Sequence, residues 1–215
     1  NFDLGTTVSA ATNVKLFVKV RQTDVAPVAF NALKSRFVTI DTSTNEAGTN
    51  GPWNLGVPNI YKIENIYVTD SSGSYISTGT DYARDFYLDS GQLDNFYGHS
   101  KLIKRTNANI STANKKITIK FSYLEPNYSS SNGTYFAIDS YPVDDTGASG
   151  IYTYEIPVYK SKILGEVFDL RDAIDFRPFV VKTAADATSL GSATENPLAT
   201  FELDTSGSYE FPIPT

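Results

Sequence analysis

Cysteine and methionine are both absent from this 215-residue chain, and histidine and tryptophan occur once each. Zero cysteine excludes disulfides, thiolate metal sites and cysteine nucleophiles. A lone histidine, His99, cannot assemble a zinc site, which needs about three His, Cys or carboxylate ligands. Without methionine, Asn1 is expected to lie inside a longer protein, and any leader to fall outside this stretch. No apolar run approaches ~18 residues, so no helical membrane span and no membrane partner are expected. Basic residues are sparse too: 18 stand against 24 acidic ones, a net charge of −6. The only basic clusters are KLIKR at 101–105 and the pair Lys115 and Lys116, too few to track a phosphate backbone, so no nucleic-acid partner is expected.

What the chain does hold is alternation. Residues 13–20, NVKLFVKV, place Val14, Leu16, Val18 and Val20 on one face. In KKITIKFSYL at 115–124, Ile117, Ile119, Phe121 and Tyr123 alternate with Thr118, Lys120 and Ser122. IYKIENIYV at 60–68 runs into the turn cluster TDSSGS at 69–74. A period of two with one apolar face predicts strands in a sheet with one dry side. Further strands are predicted over 36–41, 83–89, 134–141, 151–158, 176–182 and 198–203. Gly, Ser, Asn and Asp clusters at 42–51, 125–133 and 144–150 punctuate them. Helix is expected only as a turn or two over 27–34 and 183–190. Fourteen tyrosines and 13 phenylalanines suit strands and half-wet surfaces.

The expected fold is therefore all-β, an antiparallel β-sandwich of immunoglobulin-like or related type with little helix. The alternative is a pair of small sandwiches divided near 125–133. Residues 1–58 are expected to add N-terminal strands or a connector, 59–183 to form the core, and 184–215, ending in EFPIPT, to leave as a linker-like tail.

Candidate sites are few. His99 lies in GQLDNFYGHS at 91–100, outside any GxSxG context, and fits a packed or exposed loop histidine better than a catalytic one. Glycoside hydrolysis needs two acids across a cleft, one with a raised pKa, and Asp85, Asp89, Asp94, Asp139, Glu155 and Asp175 are the acids available. Asp89, Asp94 and Asn95, or Asp144 and Asp145, offer oxygen ligands for calcium, but neither stretch has the spacing of a calcium loop. Trp53 follows Pro52 in a Gly/Asn-rich loop, where exposure would make it, with nearby tyrosines, a platform for a host-surface glycan. Sequons stand at Asn109, Asn127 and Asn132. In DLRDAIDFRP at 169–178 the spacing predicts one helical turn from Asp169 leading into a strand, with Arg171 and Arg177 gripping carboxylates in bidentate pairs. No catalytic, cofactor-binding or metal-binding residue is assigned.

GQLDNFYGHSKLI (91–103), KKITIKFSYLE (115–125), YFAIDSY (135–141), YEIPVY (154–159) and DLRDAIDFRP, in this order, resemble a domain of unknown function from tailed bacteriophages. It occurs in virion structural proteins of myoviruses, notably those infecting cyanobacteria, and the resemblance covers roughly residues 59–180. It implies a virion component of the tail, baseplate or fibre, non-catalytic, acting through assembly and host attachment. It also implies a homo-oligomer, a trimer by preference, in contact with other virion proteins. The rival expectation keeps the fold and makes the chain a bacterial surface adhesin or carbohydrate-binding module.

Overall fold

In the computed structural model, residues 25–44, 48–128, 133 and 135–179 are described. They are nearly all β, with 45% in strands and no helix of seven residues or more, and their antiparallel sheets form small sandwich-like units. The strands are β1 (Ala29–Asp41), β2 (Trp53–Pro58), β3 (Ile60–Asp70), β4 (Phe86–Asp89), β5 (His99–Lys104), β6 (Lys115–Asn127), β7 (Val158–Lys160) and β8 (Val167–Asp169). Short 3-10 turns stand at Ala83–Asp85, Ile138–Ser140 and Thr153–Glu155.

Strand β6 is the centre of the first sheet, ordered β1-β6-β3, and the second sheet is ordered β2-β5-β4. Their facing sides close the first core. Val38 and Ile40 of β1, with Ile117, Ile119 and Phe121 of β6, pack against Trp53, Leu55 and Val57 of β2 and Leu102 of β5. The register pairs Val38 and Ile66 with Ile119, so the apolar set of each strand reaches the same face. The reverse face of β6 is covered as well. Thr118 is buried with its hydroxyl 3.1 Å from that of Thr39, because a central strand is flanked on both sides.

A β-bulge between Leu33 and Arg36 puts Ser35 at φ 52°. Glu64 of β3 reaches across the sheet to this bulge. Its carboxylate accepts the Ser35 N–H at 3.1 Å and the Ser122 hydroxyl at 2.7 Å, and pairs with Lys120 at 2.9 Å. One side chain thereby ties three strands. The outer edge of β3 is covered by Asp81, whose carboxylate accepts the Ile66 N–H at 2.9 Å, and by Tyr82, which donates its N–H to the Ile66 carbonyl at 2.8 Å.

A second core lies beside the first. It gathers Val28 and Phe30 with Tyr97, Leu124, Phe136, Tyr141, Tyr159 and Phe179. Phe30 and Phe136 stack at 4.5 Å, as do Tyr97 and Phe179 at 4.1 Å. Little regular pairing supports this unit: the two-stranded β7-β8 hairpin and isolated bridges such as Phe136–Asp175 and Tyr97–Phe179. Aromatic packing takes the place of a ladder.

Strands predicted at 36–41, 60–68 and 115–124 are present, each within a longer strand. The helical turn predicted over 27–34 is instead the start of β1, because Phe30 and Ala32 answer Pro126 and Leu124 across the ladder. Residues 83–89 divide into a 3-10 turn and β4. The stretch 134–141 holds a single bridge and a 3-10 turn, and 151–158 a bridge, a 3-10 turn and the first residue of β7. From these stretches Phe136, Tyr141, Ile151 and Ile156 fill the second core with little strand pairing. The segments 13–20, 183–190 and 198–203, the tail 184–215 and Asn132 lie outside the described residues.

Candidate functional site: an apolar groove over a buried tyrosine–aspartate–arginine cluster

The stretch GQLDNFYGHS is the connection between β4 and β5. Its turn is closed by the Leu93 N–H to Phe96 O at 2.9 Å and the Gly98 N–H to Gly91 O at 2.8 Å. Gly91 sits at φ 76°, and a Cβ there would lie 2.3 Å from Gly98 O and 2.5 Å from His99 O, so only glycine allows the two limbs to approach. This closure aims Tyr97 inward, where it is fully buried and donates its backbone N–H to Pro178 O at 2.8 Å.

The Tyr97 hydroxyl donates to Asp175 Oδ2 at 2.5 Å. Asp175 is in turn gripped by Arg177, Nε to Oδ1 at 2.9 Å and Nη2 to Oδ2 at 2.8 Å. The same guanidinium donates to Leu93 O at 3.1 Å, to Gln92 Oε1 at 3.2 Å and to the Tyr97 oxygen at 3.0 Å. Its plane lies between the Tyr97 and Tyr159 rings, 4.4 and 4.2 Å from their centroids. Burial, and then the negative charge of Asp175, push the Tyr97 phenol well above its usual range. Burial works against the charge of Arg177, but the hydrogen bond to Asp175 together with the electrostatic pull of Tyr97, Asp175 and Tyr159 outweighs it and raises its pKa. The cluster is thus a fixed ion pair with a neutral phenol attached.

Both bidentate pairs predicted in DLRDAIDFRP form, Arg171 with Asp169 and Arg177 with Asp175. The predicted helical turn is a tight turn, closed by the Asp172 N–H to Asp169 O at 3.1 Å, and bridges at Asp175 and Phe179 replace the strand.

Above the cluster opens a groove of about 500 Å³. It is lined by Ile163, Leu164, Phe168, Ile174 and Phe176, together with Asp94, Asp175 and Arg177. Asp94 and Asp175 are thus the two acids of the candidate set that share a cavity. Neither is arranged for glycoside hydrolysis. The Ser161 hydroxyl, followed by Tyr159 and the backbone N–H groups of Ile163 and Lys162, holds the Asp94 pKa below the usual range, opposite to what a general acid needs. Asp175 gives both oxygens to Arg177.

The remaining acids have structural partners or open surroundings. Asp89 accepts the Gly91 N–H at 2.9 Å, Glu155 pairs with Lys62 at 2.9 Å, Asp139 is exposed, and Asp85 borders a separate cavity beside Lys115. Asp144 is saturated by its own loop, taking N–H and hydroxyl bonds from both Thr146 and Ser149, and these hold its carboxyl far below the usual range. Asp145 accepts from the N–H and hydroxyl of Thr153. No three His, Cys, Asp or Glu side chains among the described residues converge as metal ligands would.

His99 is buried at the start of β5, with Nδ1 3.1 Å from Asn54 Nδ2. Asn54 Oδ1 accepts the Gly56 N–H at 2.8 Å, which fixes the amide so that its nitrogen donates and His99 Nδ1 accepts. Trp53 corrects the sequence expectation. It is fully buried, packs 6.2 Å from Phe86, and donates its indole N–H to Gly48 O at 3.1 Å. The Gly/Asn-rich approach reads as a loop, but Trp53 begins β2, all six residues of which are buried. A strand covered on both faces shows no alternation, and only its aromatic and aliphatic content could have signalled it. Of the described sequons, Asn109 is exposed and Asn127 is half-buried at the end of β6.

No family model, curated protein or solved structure matches the chain.

Proposed function

We propose that this chain is a structural component of a tailed-bacteriophage virion, in the tail fibre or baseplate region, working through assembly and host contact without catalysis. The observation that carries the reading is where the five resembling stretches meet. Tyr97, Leu124, Phe136, Tyr159 and Leu170 come from one stretch each and share the second core, with Asp175 and Arg177 locking it. Stretches kept in order for a catalytic purpose would bring reactive groups to a cleft. These bring packing groups to a core and leave an apolar surface over it, the arrangement a building block needs.

The test is immunogold labelling of intact phage particles with antibodies raised to the chain. Gold at the tail tip or along fibres is the expected outcome. Gold on heads would keep the particle role and move it from the tail. Unlabelled particles, with the epitope shown to be accessible and host cell surfaces labelled instead, would overturn the reading in favour of an adhesin.

A further inference from the structure

The loop that delivers Trp53 to β2 contains an asparagine followed by glycine, Asn50–Gly51. The sequence holds one other such step, at Asn132, which lies outside the described residues. The fold requires glycine at 51. Its φ is 72°, and a Cβ there would lie 2.9 Å from Trp53 Cε3, in space the indole needs. The missing side chain also leaves the Gly51 nitrogen unshielded. Asn50 is exposed, and among the described residues neither its carboxamide nor the Gly51 N–H has a hydrogen-bond partner. Other described asparagines stand before bulky neighbours: Asn54 before Leu55, Asn59 before Ile60, Asn65 before Ile66 and Asn109 before Ile110.

We infer that Asn50 is a site of spontaneous covalent modification, passing through a succinimide mainly to isoaspartate, and that the conversion loosens the seat of Trp53. In the first step the Gly51 amide nitrogen attacks Asn50 Cγ. A C–N bond forms, the Cγ–Nδ2 bond breaks, and ammonia leaves with the proton that the Gly51 nitrogen gives up. Water then opens the ring. Opening at the main-chain carbonyl of residue 50 leaves isoaspartate, whose backbone runs through Cβ and Cγ; opening at Cγ leaves aspartate. Either product adds a negative charge, but only isoaspartate lengthens the backbone, by one methylene.

That methylene falls inside a closed loop. The Trp53 indole N–H donates to Gly48 O at 3.1 Å, so residues 48–53 form a ring that runs through the Asn50–Gly51 link. Trp53 is fully buried in the first core. Lengthening the loop pulls the Gly48 carbonyl and the indole out of register, and a buried N–H that loses its acceptor is costly to keep in place. The inference stands apart from the virion reading, because the chemistry needs only this loop.

The test is to age the folded 215-residue chain in warm, mildly alkaline buffer, which favours the deprotonated attacking nitrogen. Peptide mapping and enzymatic isoaspartate methylation are expected to show conversion at Asn50 ahead of every other described asparagine, with isoaspartate exceeding aspartate. Trp53 is the only tryptophan, so its emission reports this loop alone, and it is expected to shift to the red in step with isoaspartate. Asn50→Gln, which would have to close a larger ring, is expected to lose the conversion and the shift together. Freshly prepared Asn50→Asp carries the charge without the inserted methylene and keeps the starting emission. An Asn50 that stays intact in the folded chain overturns the inference, whether or not the urea-unfolded chain reacts. So does isoaspartate at residue 50 with the emission where it began.

Discussion

Replacing Arg177 with methionine isolates what the buried cluster contributes. The Arg177 side chain is 11% exposed and that of Asp175 7%, so removing the guanidinium strands a carboxylate in a site with almost no water. Methionine keeps most of the stem's packing between Tyr97 and Tyr159, and the Arg177 backbone N–H to Asp175 Oδ1, at 3.0 Å, survives. What disappears is the fork to Asp175 and the bonds to Gln92, Leu93 and Tyr97. Breaking one partner from a buried ion pair costs about 3–5 kcal/mol, mostly the price of the charge left behind. At this chain length that corresponds to a fall of roughly 6–20 °C in Tm. Urea denaturation is the assay, because guanidinium would screen the pair being measured. Asp175→Asn with Arg177→Met completes a cycle. The double variant is expected to lose at least about 1 kcal/mol less than the sum of the singles, since it strands no charge. A loss below about 1 kcal/mol for Arg177→Met alone would falsify the view that the pair is dry and ionised.

Two further outcomes test other parts of the fold. Gly91→Ala is expected to cost about 2–3 kcal/mol in thermal unfolding, because the new Cβ meets two carbonyl oxygens in a left-handed conformation; a loss under about 0.5 kcal/mol would mean the β4–β5 connection is not closed as described. Burial raises the Glu64 pKa, but hydrogen bonds from Ser122, Lys120 and Ser35 outweigh it and bring it from 4.5 down to about 2. A depressed carboxylate contributes stability that is complete above its unfolded pKa and is lost as pH falls toward 2. Urea midpoints should therefore drop between pH 4.5 and 2 by the equivalent of about 1–2 kcal/mol, after allowing for solvent screening, and Glu64→Gln should flatten that part of the profile. An unchanged slope in the variant would assign acid sensitivity elsewhere.

Alternation established the all-β class and, in the first sheet, β3, β6 and the second half of β1, because residues such as Ile117, Ile119 and Phe121 repeat at the strand period and face one core. The Arg–Asp pairs of 169–178 were legible too, since a spacing of two lets a side chain turn back on its neighbour. Only the tertiary structure decided the rest. Trp53 and the whole of β2 are buried on both faces, and burial on two sides erases the period that marks a strand. Phe136, Tyr141 and Tyr159 stand in stretches rich in strand-favouring aromatics, yet much of their setting is irregular backbone, since aromatic rings can fill a core without a ladder behind them. The meeting of Tyr97, Asp175 and Arg177 spans some 80 positions, a distance over which spacing carries no information. Composition and period set which kinds of surface this chain has to hide. Which residues hide them together, and which apolar face is left open, follows from the packing of one sheet and hairpin against another.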